Sequence, residues 1–322
     1  MLNTEHLRLN PLLCILPSPF AVHNSSMARM IVEEAEALLD KSIQVLDKGF
    51  VRLVDYMGGD QRIVQAARVS YGEGTKTYRE DRGLIHYLMK NWHTSPFEQV
   101  QLTFHTKMPI FVARQWVRHR TARLNEISGR YSIMKDEFYL PDADQIRYQS
   151  KSNKQGRSEE PVPIDQALQI IQRLEAEQKE AYAHYQELLD ANVARELARA
   201  NLPISLYTEW YWQIDLHNLF HFLHLRLDPH AQYEIRAYAE VMGDCARAVA
   251  PIAYEAFEEH VLGAVSLSRS ECEALIARME NRPVELQGRA LAAFEAKFTK
   301  MQGAHRPVEQ PEEPKLPEPA GA

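Results

Sequence analysis

Apolar positions recur along this chain with two periods, and the change from one to the other sets out its elements. Met30, Ile31, Ala35, Leu38 and Leu39 stand at helical spacing, so residues 26–46 read as a helix capped by Ser26. Residues 49–56 alternate as a half-buried strand does, and Gly58-Gly59-Asp60 turns the chain into a helix over 61–69 that Asp60 caps. Leu84, Leu88 and Met89 stripe a helix over 79–92. It ends in His93-Thr94-Ser95-Pro96, because the residue before a proline resists helical angles. Residues 100–105 alternate again. They pair, through Lys107-Met108-Pro109, with the apolar run 109–113, a buried strand or a short buried helix.

The second half is helical by period. Residues 164–191 form a long amphipathic helix, 193–200 another, 207–227 a third, and 231–259 a fourth with a kink at Pro251. Between the halves, residues 142–164 are a polar, proline-bearing linker with a surface insertion at 151–160. After Gly263 comes a helical appendage, 264–302, in which Ser268 and Glu271 have capping-box spacing. Residues 1–26 hold prolines and no period and read as an extension. Residues 303–322, rich in proline and glutamate, read as a disordered tail. The expected fold is α+β, a single domain over 27–263 with a mixed or antiparallel sheet flanked by long helices.

Composition narrows the function classes. Of 322 residues, 45% are hydrophobic and 25% charged, enough for a sizeable core. A net charge of −7 argues against a nucleic-acid-binding surface, so the arginine cluster described next is local and suits a small anion. Cys14, Cys245 and Cys272 are odd in number and scattered; they suggest neither disulfides nor a zinc site, and a reducing cytoplasm fits them. None has a paired general base, so a cysteine nucleophile is set aside. No stretch is long enough to span a bilayer, and residues 12–22, with their two prolines and no basic flank, do not read as a signal peptide. Gly72 to Thr77 lacks the spacing of a phosphate loop and reads as a connection.

The densest chemistry lies in 109–132, PIFVARQWVRHRTARLNEISGRYS. Arg114, Arg118, His119, Arg120, Arg123 and Arg130 crowd around Gln115, Asn125, Glu126 and Ser128, with one carboxylate among them. Guanidinium forks suit phosphates and the edges of heterocycles; a structural Arg–Glu network beneath a sheet is the alternative. A second cluster, Asp215, His217, His221 and His224, has spacing that fits zinc and a metallohydrolase, though without an HExxH arrangement or a second ligand cluster nearby. At about 100° per residue, Asp215, Leu219, Phe222 and Arg226 share one helix face and the three histidines the opposite one. In an oligomer such a helix feeds two sites.

Arg118-His119-Arg120, seven residues, then Ser128-Gly129-Arg130-Tyr131 resembles the signature of the flavin-dependent thymidylate synthases. The likeness runs from Leu46-Asp47-Lys48-Gly49-Phe50 through Arg226 to about Phe257, with Arg123 where many members have serine. The resemblance implies methylation of dUMP to dTMP, with 5,10-methylenetetrahydrofolate as carbon donor and NADPH reducing a bound FAD. It also implies a homotetramer with sites where subunits meet, acting without nucleic acid, membrane or metal. Matched residue by residue, Gln115, Arg118, Glu126, Ser128, Gly129, Arg130, Arg199 and Arg226 hold dUMP, with Arg226 also activating the uracil ring. Ser95, Arg118, His119, Arg120, Glu126, Asp215, His217 and His221 hold FAD, and His93 lies near flavin and folate. His217 and His221 stand where other members often carry arginine or asparagine. A nucleotide sensor without turnover is the non-enzymatic alternative.

Overall fold

A computed structural model of the chain describes residues 30–69, 78–151 and 155–304. The expected extension 1–26 and the connection 72–77 lie outside the described residues, as does the tail from 305 onward. The helix expected over 26–46 is not formed as one piece. α1 (Glu33–Glu36) is one turn long, and after Asp40, at φ 57°, the chain enters β1 (Ser42–Val45). β1 pairs antiparallel with β2 (Gly49–Met57), and that pairing overrides the helical period of the apolar side chains. Gly49 is obligatory at this hairpin. A Cβ there would stand 2.0 Å from the Tyr238 hydroxyl, which donates to the Lys107 carbonyl at 2.7 Å.

α2 (Asp60–Arg68) and α3 (Tyr78–Lys90) follow, then β3 (Gln101–Pro109). β3 runs straight through Lys107 to Pro109, so the hairpin expected there is absent and the next apolar run becomes α4 (Ile110–Trp116). β4 (Arg123–Glu126) is an edge strand, and the insertion forms a small hairpin of β5 (Arg147–Gln149) and β6 (Arg157–Pro161). α5 (Ile164–Asp190) takes the expected long-helix course, and α6 (Arg195–Ala198) is shorter than expected, ending in a 3-10 turn at Arg199–Asn201.

The largest departure is at 207–227. β7 (Tyr207–Asp215) is a strand, and only α7 (Leu216–Arg226) is helical. Trp210, Trp212 and Ile214 face the core while Glu209, Tyr211 and Gln213 do not, which is a period of two. α8 (Tyr233–Val249) and α9 (Pro251–Phe257) are separate helices broken at Ala250, beyond the kink expected at Pro251. α10 (Arg269–Met279) opens with the Ser268–Glu271 capping box, and α11 (Gly288–Ala304) runs into the start of the expected tail.

The five-stranded sheet has the order β1-β2-β3-β7-β4 with every neighbour antiparallel, so the fold is a single α+β domain. One sheet face, carrying Leu102, Phe104 and Met108 of β3 with Trp210, Trp212 and Ile214 of β7, packs under the helices. Among the described residues no helix is long and apolar enough to cross a membrane.

Asp60 does more than begin α2. Its carboxylate accepts from the main-chain N–H groups of Ile252 (2.8 Å) and Ala253 (2.9 Å), capping α9 from across the fold, while burial raises its pKa to about 6. Asp60→Ala leaves those two donors without this partner. It is expected to lower stability by about 1–2 kcal/mol in chemical denaturation, with an unchanged midpoint as the result that would refute the cap.

Candidate functional site

The site is built outward from Trp116. This fully buried side chain closes α4 and is wedged among Trp210 (5.4 Å), Trp212 (5.4 Å) and Phe222 (5.1 Å, stacked). That anchor fixes the turn that follows, and the His119 ring meets Phe222 edge-on at 4.9 Å. Arg226, at the end of α7, reaches the same place. Its Nε donates to His119 Nε2 at 3.1 Å, and its Nη2 donates to the Gln115 main-chain oxygen at 3.5 Å. Because a guanidinium only donates, His119 Nε2 is a lone pair here and the ring proton sits on Nδ1. Burial first, then the charge of Arg226 and the nearby His221, pull the His119 pKa down to about 4, so the ring is neutral at neutral pH. Partial burial also lowers Arg226 from its usual value, though an arginine remains charged.

Arg118, Arg120 and Arg123 project as exposed side chains around this turn, and no carboxylate among the described residues pairs with them. The structural Arg–Glu network is therefore not what the sequence builds. Glu126, the carboxylate within the cluster, accepts instead from the Thr208 hydroxyl at 2.6 Å. The exposed, unneutralised guanidiniums make an anion-attracting surface.

At the other end of β4 the chain turns through Ser128, Gly129 and Arg130. The Arg130 N–H donates to Ser128 Oγ at 3.3 Å, and the Arg130 side chain lies 3.4 Å from Glu196. A Cβ on Gly129 would meet Met134 Sδ at 2.9 Å and Arg199 Cδ at 3.0 Å, so glycine lets the main chain lie against Arg199. Glu126, Gly129, Arg199 and Thr208 line one cleft there.

A third locus collects the histidines. His93, His217, His221 and His224 rim a pocket floored by Leu88, Met89, Phe220 and Phe257, with Trp92 and Thr94 beside them and Ser95 on the same loop. Asp215 is the N-cap of α7, accepting from Asn218 N (2.9 Å) and Asn218 Nδ2 (2.7 Å). It is thus off the helix onto which it was projected, and the two faces expected of that helix are not kept apart, because His119 meets both Arg226 (3.1 Å) and the His221 ring (6.0 Å between centroids). Among the described residues no three His, Cys, Asp or Glu side chains are grouped to hold a metal ion, which leaves the metallohydrolase reading without its site. Burial pushes the Cys245 thiol up to about 12, far from a reactive thiolate.

One chain therefore presents these residues in two groups rather than in one pocket. Gln115, His119 and Arg226 meet and adjoin the histidine pocket beyond the Asp215 end of β7, the His119 and His221 rings standing 6.0 Å apart; Glu126, Ser128, Gly129, Arg130 and Arg199 gather at its Thr208 end. Thr208 and Asp215 are seven residues apart on one strand, about 23 Å. Thr208 itself, which holds Glu126, and Gln232, which accepts from the Gln115 amide, were missed in the sequence. Alternation over 207–215 was the available signal for Thr208; none marked Gln232.

The thymidylate synthase complementing protein family model matches residues 52–252, and the model for the thymidylate synthase ThyX C-terminal domain matches 265–303. A flavin-dependent thymidylate synthase of Treponema denticola is 62% identical over 260 residues, covering 81% of this chain and 98% of that protein. One from Thermus thermophilus is 60% identical over 234 residues, covering 73% of this chain and 84% of that protein. Among solved structures, the UMP/dUMP methylase PolB from Streptomyces cacaoi bound with 5-Br dUMP superposes with a TM-score of 0.62. It is 35% identical and covers 68% of this chain and 98% of its own. With the family model spanning well over half of the chain and relatives at 60% and 62% identity along most of it, the chain belongs to the flavin-dependent thymidylate synthase family.

Proposed function

We propose that the protein methylates dUMP to dTMP, taking the carbon from 5,10-methylenetetrahydrofolate and drawing reducing equivalents from NADPH. The observation that carries this reading is the junction of Arg226, neutral His119 and Gln115 beside exposed arginines that have no carboxylate partner among the described residues. It offers a directed cation and an anion-attracting rim in one place. Arg118, Glu126, Ser128, Gly129, Arg130 and Arg199 complete the nucleotide contacts, with arginines taking the phosphate.

The donor set fits FAD. An apolar, aromatic floor rimmed by His93, His217 and His221 suits a flat heterocycle, and Arg118 and Arg120 suit a pyrophosphate where no glycine-rich turn is present. Ser95 and Glu126 stand at the edges, and Asp215 sets the helix that carries His217 and His221. Bound FAD supplies the hydride. The chain orients dUMP, and Arg226, a permanent cation, stabilises negative charge on the uracil ring while its atoms C5 and C6 react. Purified protein should be yellow and form dTMP only when dUMP, methylenetetrahydrofolate and NADPH are all present. Flavin without any turnover would favour the sensor.

The separation of the Arg199 cleft from the His119, Arg226 and histidine group supports a homotetramer in which neighbouring subunits complete each site. Arg226→Ala and Arg199→Ala, each inactive alone, should regain roughly a quarter of parental activity when refolded together, since a random half of the chains supplies each intact residue. No recovery in verified mixed oligomers would show that each chain serves only itself.

A further inference from the structure

Glu234, on α8, is 1% exposed, and every polar group that touches it donates. The Tyr139 hydroxyl donates to Oε1 at 3.0 Å, Arg157 of β6 pairs with the same oxygen, and Gln232 Nε2 donates to Oε2 at 2.8 Å. A carboxylate held by a guanidinium offers acceptors only. The Gln232 amide is therefore fixed with its NH2 toward Glu234 and its oxygen turned away. That oxygen accepts from Gln115 Nε2. Each amide in the row takes its polarity from the group before it, and the last, Gln115, is left presenting its carbonyl oxygen. The main-chain oxygen of the same Gln115 accepts from Arg226 at 3.5 Å, so the row ends beside the proposed ring-activating cation.

We propose that Glu234 is a positioning residue that sets the amide polarity of Gln115, so that this point of the nucleotide site meets dUMP with an acceptor and selects a donating group, a ring N–H or a sugar hydroxyl. An amide turned by 180° occupies the same volume, so shape alone does not choose its orientation. The buried carboxylate chooses it, and the β5–β6 hairpin makes that burial tolerable by delivering Arg157. The proposal rests on the reading of Gln115 as a nucleotide contact.

The test is steady-state kinetics of the flavin-loaded enzyme with dUMP varied. Glu234→Gln is isosteric and lets both downstream amides reverse. The KM for dUMP is expected to rise about tenfold, with kcat changing less. Combining Glu234→Gln with Gln232→Glu moves the acceptor-only group one place along the row. The carboxylate at position 232 again accepts from Gln115, and KM should return to within about threefold of the parent. A purely structural Glu234 loses its pairing with Arg157 in both variants. An unchanged KM in the single variant, or a KM as poor in the double as in the single, therefore overturns the proposal. Where Glu234→Gln fails to fold, Gln232→Leu decides: it cuts the row but leaves Glu234 paired with Arg157 and Tyr139, and an unchanged KM refutes the relay. Gln115→Leu separates the two readings. No effect of that change removes Gln115 from the nucleotide site. An effect there without one in Glu234→Gln removes only the relay.

Discussion

Arg226→Ala is expected to cut dTMP formation at saturating dUMP by at least about 10²-fold, roughly 2.7 kcal/mol of transition-state stabilisation. Flavin content and reduction by NADPH should stay near those of the parent. The reason lies in how Arg226 is held. His119 Nε2 and the Gln115 carbonyl take its Nε and one Nη2 proton, which leaves the rest of the fork aimed away from those two acceptors. Being partly buried, that charge acts through a poorer dielectric than water, where a cation beside a developing anion counts for more. Lysine should rescue poorly, since an ammonium has neither the planar fork nor a second nitrogen to keep the His119 bond while reaching a ligand. Turnover within about tenfold of the parent, roughly 1.4 kcal/mol, would make Arg226 a structural residue that merely ends α7.

The second large effect is on pH dependence through His119. Its pKa falls from an ordinary 6.5 to about 4 in the fold, chiefly by burial and then by Arg226. Between those values the unfolded chain binds the proton and the folded chain does not. The contribution of neutral His119 is therefore complete above about pH 6.5 and is lost as pH falls toward 4. Asp60 acts in the opposite sense. Its pKa is raised to about 6, so the stability that it gives protonated is lost as pH rises from 3.8 through 6. Subtracting a variant from the parent at each pH removes the Asp60 part, since the two groups serve separate elements. His119→Gln keeps an acceptor for Arg226 and cannot titrate. The parent should lose stability relative to this variant between pH 6.5 and 4, measured as thermal midpoints at matched flavin content. Parallel curves would mean that folding leaves the His119 pKa where it is in the unfolded chain.

The sequence by itself determined those features whose causes are local. A helical stripe over 27 residues has few other uses, so α5 was legible nearly to its ends. The Ser268–Glu271 spacing closes a capping box within one turn, and the arginine-rich signature named the family because its residues are neighbours in sequence. Where a period was ambiguous, distant partners decided. Trp210, Trp212, Ile214 and Leu216 alternate, while Leu216, Leu219, Phe220 and Leu223 follow a helical period, and the two series join without a break. β7 is a strand because β3 and β4 satisfy its main chain on both sides, with Thr208 opposite Met108 and Trp210 opposite Glu126. β1 displaced a helix for the same reason, its partner β2 being supplied by the next turn of chain. The site divides likewise. His119 is visible as a motif residue, but its neutrality is not, because that follows from burial against Phe222 and from Arg226, 107 residues away. Glu234 was one carboxylate among many in a helical run; only the fold brings Arg157, Tyr139 and, through Gln232, Gln115 to it. A hydrogen bond fixes polarity over about 3 Å of space, whatever the length of chain between its partners, and that is information a period along the sequence does not carry.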